Sequence, residues 1–328
     1  MWGDGVEIFF VLSGFLISTQ LLREFDKSGT IKLRSFYIRR GFRILPALYV
    51  YLTVAALFCM WQNIPAGTHP FLSSGLFYID YFQGSNLWIT AHNWSLSVEE
   101  QFYFLWPALL LFMLQRKGRA AAIKTAIFLI LLAPVLRIAG VLSKIAYLQH
   151  RSASMFHTRM DALMCGCLAA LLLGIPKYEA VYKQLARIWW VFPLFFLIVS
   201  RALDVVFGSL YFFSIGSTLE SICVAFFIVW VSRNAGSLIG RVLDSRVLSF
   251  IGVLSYSLYL WQTLFINGEN HTWLAWMPIN FVLLAAAAWG SYTFIEQPSL
   301  ALRDRHYKSN VVAAIPPALP GKGIEEFH

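Results

Sequence analysis

Long apolar stretches, each about the length of a bilayer crossing, constrain this chain more than any other feature. A helix needs about 20 mostly apolar residues to cross the hydrocarbon core of a membrane. Nine such stretches lie near residues 5–22, 44–62, 101–114, 122–142, 160–175, 188–207, 210–232, 248–267 and 273–295. Only 13% of the 328 residues are charged, about half the usual share in a soluble domain. The sequence therefore predicts an all-α, polytopic integral membrane helical bundle and excludes a soluble enzyme or a nucleic-acid-binding module.

Two other parts of the chain are too short or too polar to cross the membrane. The apolar segment 71–83 is too brief to span, so we predict a re-entrant or interfacial piece. Residues 306–328 are rich in proline and predict a disordered tail, which leaves 1–305 as one transmembrane domain. The four cysteines lie inside apolar runs without metal-ligand spacing. We interpret them as packing residues and predict no metal site.

Lysine and arginine are concentrated in alternate connections between the apolar stretches. If the stretches alternate in direction, 21 of the 26 basic residues fall on one side of the membrane. They occupy segments 23–43, 115–124, 177–187, 233–246 and 303–322. Because basic loops are retained in the cytoplasm, segment 23–43 and the C-terminus are predicted to be cytoplasmic and the N-terminus outside. This distribution also indicates that the net charge of +9 serves the lipid bilayer and that no nucleic acid is a partner.

The first polar motif in an apolar stretch is GVEIFFVLSGFLIS, at residues 5–18. Glu7 and Gly14 are seven residues apart and therefore share one face of a helix. A carboxylate within a span is costly, which makes Glu7 a candidate for contact with a ligand or a neighbouring helix. The alternative is an interfacial carboxylate beside a glycine that serves only helix packing.

The second motif is FYIRRGFRILP, at residues 36–46. Arg39, Arg40 and Arg43 fall on one helical face, and Pro46 marks the entry to the next span. One interpretation is that these arginines extend to lipid headgroups. The other is a site for an anionic cytosolic donor, since guanidinium groups grip phosphate bidentately and residues at i and i+3 can share one ligand.

The third motif, AHNWSLSVEEQFYFLWP at residues 91–107, is the most informative. Its polar and aromatic positions are His92, Trp94, Ser95, Ser97, Glu99 and Glu100. Two adjacent carboxylates at a membrane boundary repel each other unless one is protonated or each meets a cation. A helix cap formed by a serine with one of the glutamates would explain one carboxylate, but hardly both.

A fourth motif, HTRMDALMCG at residues 157–166, contains Arg159 and Asp161. These two residues could form an ordinary ion pair at the entrance of a span. Towards the C-terminus, YSLYLWQ at 256–262 and FIEQP at 294–298 add polar positions inside spans. The simplest interpretation of these last segments is an aromatic belt and a helix end. No single motif among these identifies a function.

Taken together and in this order, the motifs resemble the membrane-bound acyltransferase 3 family. The matching blocks are GVEIFFVLSGFLIS, RRGFRILPALY, HNWSLSVEEQFYFLWP, RMDAL with Gly166, SYSLYLWQ and the closing EQP. The resemblance covers residues 3 to 305, and its first three blocks are the specific ones. It implies a bundle of about ten spans, each a helix of bilayer length.

The resemblance also implies an activity and its substrates. Family members are bacterial inner-membrane enzymes that take an acyl group, usually acetyl, from cytosolic acyl-CoA as co-substrate without a bound cofactor. The acceptor is a hydroxyl, commonly on lipopolysaccharide O-antigen, exopolysaccharide or peptidoglycan, so that a carbohydrate or lipid-linked glycan is the expected partner. Some relatives modify macrolides. Others carry a fused extracytoplasmic hydrolase-like domain; the present sequence would have to act alone or with a separate extracytoplasmic transferase.

The family's site residues carry over to matching positions of this sequence. Its arginine pair falls on Arg40 and Arg43, which would hold the phosphates of coenzyme A. Its catalytic block falls on Glu99 and Glu100, which would orient the base or shape the acceptor site. Supporting positions are Glu7, Ser13, Gly14, Trp94, Arg159 and Asp161.

The sequence departs from the family pattern at its N-terminus. The resemblance implies an additional first span that bears a basic residue and a histidine thought to act as catalytic base, and nothing precedes Met1 here. We therefore expect that Met1 is a wrong start or a fragment edge. Acyl transfer to an alcohol needs a base near the hydroxyl, and histidine is the usual choice. His92 and His157 are the nearest histidines within this sequence, and we take His92 as the third catalytic candidate with Glu99 and Glu100.

A second class of function remains open at this point. The chain could be a non-enzymatic membrane protein, either a small-solute permease or an inactive relative that assists polysaccharide assembly. A permease would not consume acetyl-CoA. It would need neither arginines that hold the phosphates of coenzyme A nor a catalytic base. The absence of an evident internal repeat gives no support to a transporter built from two matching halves.

Overall fold

The computed structural model describes residues 3–82 and 87–313 and confirms an all-α fold, with no strand in the described part. We number its main helices α1 (Gly3–Ser28), α2 (Leu33–Trp61), α3 (Thr68–Gly75), α4 (Asn93–Arg116), α5 (Arg119–Leu142), α6 (Phe156–Leu172), α7 (Pro176–Leu185), α8 (191–207), α9 (209–233), α10 (Arg246–Phe265) and α11 (279–313). Short helical turns occupy Ile79–Tyr81, Trp88–Ala91, Ala146–Arg151, Ala186–Ile188, Leu238–Leu243 and Trp273–Ala275. The tail predicted to begin at residue 306 is helical as far as residue 313, because α11 continues to that point; its remainder lies outside the described residues.

Six of the described helices are long and apolar enough to cross a membrane: α1, α2, α5, α9, α10 and α11. They coincide with six of the nine predicted spans. Helix α6 is shorter and is followed, after a bend of 114°, by the helix that begins at Pro176. If this bent pair is counted as one span, the number of candidate spans is seven. The predicted spans 101–114 and 188–207 fall in α4 and α8. These two helices are not among the six that are both long and apolar enough to cross a membrane.

Helix α4 is long enough to cross a membrane, but its composition is not apolar enough. Its 24 residues extend about 36 Å, which is enough to cross the hydrocarbon. However, it carries Glu99, Glu100 and Arg116, which lower its mean hydropathy. Glu99 is only 1% exposed, so this carboxylate faces other helices rather than lipid. A polar helix is tolerated here because its charged positions are enclosed by protein.

Helices α1 and α6 cross at unusually close range. A Cβ atom at Gly14 would overlap the carbonyl oxygen of Leu163 on α6, and one at Gly166 would overlap that of Val11 on α1. Each glycine therefore lets the other helix's backbone lie directly against it, as small residues do at helix contacts in membranes. The predicted shared face of Glu7 and Gly14 is the face that packs on α6.

Pro46 lies inside α2 and does not mark the start of a span, contrary to the sequence interpretation. A proline lacks the amide hydrogen that would bond the carbonyl four residues earlier. That carbonyl belongs to Phe42 and accepts a hydrogen bond from the Ser299 hydroxyl of α11 at 2.7 Å. The helix continues through the proline because a neighbouring helix replaces the lost bond.

The segment between α2 and α4 returns along α2. Tyr49 donates from its hydroxyl to the Gly75 carbonyl at 3.1 Å. Tyr49 lies about 18 Å from Trp61, the last residue of α2, at the helical rise per residue. We call residues 63–82 the α2–α4 segment; this contact shows that it lies beside α2, and whether it is re-entrant or interfacial stays a prediction.

Replacing Gly14 by alanine tests the α1–α6 crossing. We expect a loss of about 3 kcal/mol in the free energy of unfolding, because the new methyl group must push two helix backbones apart. Gly252→Ala on α10 is the matched control, since a Cβ at Gly252 meets no atom within 4 Å. That variant should be neutral or slightly more stable, because alanine favours the helix. Unfolding in detergent measures both, and equal stability of the two variants would contradict the close crossing.

Candidate functional site

Helices α2 and α4 bring together an arginine, two glutamates and a tyrosine, which we call the Arg40 cluster (Arg40, Glu99, Glu100 and Tyr103). One terminal nitrogen of Arg40 lies 3.4 Å from Glu99 Oε1, and Arg40 Nε lies 3.4 Å from Glu100 Oε1. The guanidinium carbon also stands 3.6 Å from the centre of the Tyr103 ring. The Arg40 cation thus lies beside both adjacent carboxylates. Each carboxylate meets a cation, as the sequence analysis required for two neighbouring negative charges.

Glu99 is the innermost member of the Arg40 cluster. Its Oε1 accepts hydrogen bonds from the hydroxyls of Ser13 on α1 and Tyr103 on α4. Glu100 is more accessible, with 15% of its side chain exposed against 1% for Glu99. Of the two adjacent carboxylates, only Glu100 can meet a bound molecule without rearrangement. Ser13, predicted as a supporting residue, therefore belongs to the site.

Arg43 and Glu296 extend the charged region beyond the Arg40 cluster. Arg43 is exposed and interacts electrostatically with Glu99 and with Glu296 of α11. Glu296 lies in a π-helical turn, Tyr292–Glu296, and accepts a hydrogen bond from the Ser257 hydroxyl of α10. π-Helical turns within α-helices are frequent at functional sites. The weak EQP motif therefore contributes a carboxylate to the same region.

His92 lies at the N-terminal end of α4, apart from the Arg40 cluster. Its Nδ1 is 3.3 Å from the Thr263 hydroxyl, and its ring packs against Tyr51 and Tyr259. Burial lowers the pKa of His92 to about 3, so the ring is neutral at physiological pH. A group with so low a pKa is a poor general base at pH 7. Among the three predicted catalytic residues, the structure places the two carboxylates together and His92 outside them.

The sequence-based cap of α4 is also absent from the described contacts. The helix begins after His92 with no side-chain cap. Ser95 bonds the hydroxyl of Tyr259 at 2.8 Å instead. Trp94 packs edge to face on Phe10 of α1, with ring centres 6.1 Å apart. Neither glutamate is used as a cap, which leaves both for the site.

A cavity of about 440 Å³ adjoins the Arg40 cluster. Its polar lining comes from Arg40, Glu100, Gln101 and Tyr103, and its apolar walls come from α2, α4 and the α2–α4 segment. Leu76 and Phe104, at its edge, are 65% and 68% exposed. Apolar exposure on this scale is what a bilayer-facing surface shows. The cavity therefore combines a charged floor with an apolar rim.

A second group of charged side chains connects helices α1, α5, α6 and α9. Arg159 contacts Glu7 Oε2 at 2.5 Å, and both side chains are at most 2% exposed. Asp161 contacts Arg137 of α5 at 2.8 Å, again with both fully buried. Arg159 and Asp161 do not pair with each other, so that interpretation is wrong. Side chains two residues apart on a helix point in different directions, and each meets a different neighbouring helix.

Hydroxyl groups of α9 complete this second group. Ser217 donates to Glu7 at 3.3 Å and Ser221 donates to the same carboxylate, while Thr218 donates to Asp161 at 2.5 Å. Sequence reasoning missed these serines and the threonine because single hydroxyls within a span carry no signal of their own. It likewise missed Tyr103, whose spacing of four residues from Glu99 on one helix could have indicated the contact.

The fold and these two charged groups define a polytopic helical membrane protein with a polar site inside its bundle. The family model described as an acyltransferase domain matches residues 5–296 of the chain. The chain belongs to this family, as the sequence motifs indicated.

Two relatives show how far the similarity extends. The peptidoglycan O-acetyltransferase OatA of Listeria monocytogenes is 28% identical over 328 residues, which cover 90% of this chain and 50% of the relative. The O-acetyltransferase OatA of Staphylococcus aureus (strain NCTC 8325) is 28% identical over 338 residues, covering 93% and 53%. The chain thus spans about half the length of these curated relatives. No solved structure matches.

Breaking the pair between Glu7 and Arg159 should be strongly destabilising. Arg159→Met leaves a buried carboxylate without its cation, at a cost of about 3–5 kcal/mol in the free energy of unfolding. Arg233→Met is the matched control, because the Arg233–Glu179 pair is about 30% exposed on both sides. Its loss should cost about 1 kcal/mol or less. Unfolding in detergent compares the two variants, and equal losses would contradict a buried structural pair.

Asp80 provides a prediction about pH. It is fully buried, and burial raises its pKa to about 6. Its neighbours that titrate are Tyr81 and Tyr147, with His157 bonded to Tyr81. Because the pKa is raised on folding, the stability from protonated Asp80 is complete below pH 4 and is lost as the pH rises through about 6.

The comparison that isolates this effect is with Asp80→Asn, which cannot titrate. The melting temperature of the native chain, minus that of Asp80→Asn, should fall between pH 4.5 and pH 7.5. Thermal unfolding in detergent at several pH values measures this difference. A difference that stays constant or rises with pH would show that Asp80 keeps an ordinary pKa in the folded state.

Proposed function

We propose that this chain is a membrane-bound O-acyltransferase. In this proposal it moves an acetyl group from cytosolic acetyl-CoA to a hydroxyl of a cell-surface carbohydrate. Membership of the acyltransferase family and the O-acetyltransferase names of its relatives support the reaction class. The single observation that carries the proposal is the Arg40 cluster, with its accessible Glu100 beside a cavity that has an apolar rim.

The two arginines have different roles in this proposal. Arg40 is surrounded by Glu99, Glu100 and the Tyr103 ring, so its charge is already balanced within the protein. Its role is to hold the two carboxylates next to the cavity. Arg43 is exposed one helical turn further on and is the arginine available for a phosphate of coenzyme A. The pair predicted from the sequence thus divides into a structural and a donor-binding residue.

The reaction itself is an acyl transfer from a thioester to an alcohol. The acceptor oxygen attacks the thioester carbonyl carbon, a carbon–oxygen bond forms and the carbon–sulfur bond breaks. The proton of the hydroxyl ends on the sulfur of coenzyme A. Glu100 is placed to accept the hydrogen bond of the acceptor hydroxyl, and such a contact increases the nucleophilicity of the oxygen. Glu99, fixed by Ser13 and Tyr103, keeps Arg40 and thereby Glu100 in position.

The membrane topology fits a cytosolic donor. Residues 23–43 comprise the end of α1, the connection to α2 and the first turns of α2 as far as Arg43. This segment is rich in basic residues, and basic segments next to the end of a span stay in the cytoplasm. We propose that the chain lies in the bacterial inner membrane with its C-terminus in the cytoplasm. Arg43 is then close to the face at which acetyl-CoA arrives.

The test is transfer of radiolabelled acetyl from acetyl-CoA in inverted membrane vesicles that contain the full chain. We expect base-labile label in the membrane glycan fraction. Arg43→Ala should raise the KM for acetyl-CoA about tenfold or more, since a charge-assisted hydrogen bond contributes about 1.5–3 kcal/mol. Arg34→Ala, also exposed on α2, is the matched control and should change the KM less than twofold.

Three outcomes would count against this proposal. Absence of glycan label above that of vesicles without the chain would reject the reaction. Equal effects of Arg43→Ala and Arg34→Ala would reject the role of Arg43. Uptake of a solute by the same vesicles without consumption of acetyl-CoA would favour the permease alternative.

A further inference from the structure

Gln101 lies on α4 next to Glu100 and lines the same cavity. Its side-chain nitrogen donates two hydrogen bonds, one to the Phe77 carbonyl at 2.8 Å and one to Asp80 Oδ1 at 2.8 Å. Both acceptors belong to the α2–α4 segment. The position of the Gln101 amide is therefore set by a different part of the chain from the one that carries it.

The orientation of this amide follows from its partners. A backbone carbonyl can only accept, so the nitrogen and not the oxygen of Gln101 must face Phe77. An amide nitrogen has two hydrogens, and the two bonds use both. The oxygen Oε1 is left as an acceptor, and within residues 3–82 and 87–313 no hydrogen bond to it is formed. Gln101 thus presents a fixed acceptor at the cavity.

The backbone of Phe77, which provides one of these acceptors, has an unfavourable conformation. Its φ angle is +56°, in the left-handed region that bulky side chains rarely adopt. Strained backbone of this kind persists where the surrounding structure requires it and is concentrated at binding sites. Here the strained residue provides the carbonyl that orients Gln101.

Asp80 is fixed as firmly as Phe77. Its side chain is fully buried, and its second oxygen accepts from the Phe156 amide at the start of α6, at 3.2 Å. The Asp80 carboxylate, which belongs to the α2–α4 segment, therefore bridges α4 and α6. Asp80 acts on the cavity only through Gln101, which makes it a positioning residue.

The polar groups at the cavity suit one class of ligand. Glu100 and Gln101 offer acceptors and Arg40 offers a donor, a combination that hydroxyl groups can satisfy because each hydroxyl both donates and accepts. Arg40 and Glu100 already pair with each other, so an apolar ligand would leave Gln101 Oε1 as the unpaired acceptor at the cavity, which is unfavourable. The acceptor must therefore offer more than the one hydroxyl that reacts.

We propose that Gln101 Oε1 binds a second, non-reacting hydroxyl of the carbohydrate acceptor. This inference rests on the proposed acyl transfer and identifies the specificity residue of the same site. Glu100 contacts the reacting hydroxyl and Gln101 contacts its neighbour. Asp80 and Phe77 hold Gln101 in the orientation that this contact needs.

The experiment uses the full chain reconstituted in lipid nanodiscs with acetyl-CoA. The acceptor probes are methyl glycosides of glucose, galactose and N-acetylglucosamine, together with monodeoxy forms of each. The O-acetylated product is measured by mass spectrometry. For the native chain, we expect at least one deoxy form to lose tenfold or more in kcat/KM against its parent glycoside.

Variants then assign this discrimination to Gln101. Gln101→Met, of similar length but without an amide, should raise the KM for the glycoside tenfold or more and abolish discrimination against the deoxy form. The KM for acetyl-CoA should stay within twofold. Asp80→Ala should weaken discrimination partly, because Gln101 then loses one of its two anchors. Gln184→Met, at an exposed position of α7, is the control and should change neither KM.

Several results would overturn the inference. The first is that Gln101→Met retains the native preference for the parent glycoside. The second is that both KM values rise together, which would indicate a general distortion of the site. If Gln101→Met does not fold, Gln101→Asn keeps an amide but withdraws it by one methylene, and unchanged discrimination in that variant would be equally decisive.

Failure of this inference and failure of the proposed function are distinguishable. A native chain that labels membrane glycan but acetylates none of the glycosides, or does so without discrimination, retains the proposed reaction and rejects the role of Gln101. A native chain that transfers acetyl to neither membrane glycan nor glycosides rejects the proposed function.

Discussion

The cost of placing a charge in the interior of a membrane protein is the constraint on which this structure depends. An ionised side chain that is cut off from water is tolerated only when an opposite charge and hydrogen bonds surround it. Two of these arrangements in the described bundle are Arg40 with Glu99 and Glu100, and Glu7 with Arg159 beside Asp161 with Arg137. In each, the partners come from different helices, so the ion pairs also determine which helices are neighbours.

The two arrangements are connected through α1. Its Glu7 reaches α6 and α9, its Gly14 allows the close crossing with α6, and its Ser13 donates to Glu99 in the Arg40 cluster. A displacement of α1 would therefore change both. The motif at residues 5–18 therefore serves both helix packing and the Arg40 cluster. Neither role alone accounts for all of its polar and glycine positions.

Much of the candidate site was visible in the sequence, but its contacts were not. The adjacent Glu99 and Glu100 required a cation, and the exposed arginines of α2 were candidates for a ligand. That Arg40 is the required cation could not be predicted, because 58 residues of chain separate it from Glu99. The proposed pair of Arg159 with Asp161 was wrong for the same reason: proximity in sequence was taken for proximity in space. Gln101 and Tyr103, in the same motif as the glutamates, attracted no attention because neither is charged.

The sequence by itself determined the class of fold, the approximate position of the spans and the family, because apolar length and motif order are properties of the chain read locally. The tertiary structure decided which charge meets which. It also decided that the segment after α2 folds back to orient Gln101, and that the carbonyl freed by Pro46 is satisfied by Ser299. These contacts join residues far apart in the chain, and they depend on how the helices pack, which the local pattern of each helix does not specify.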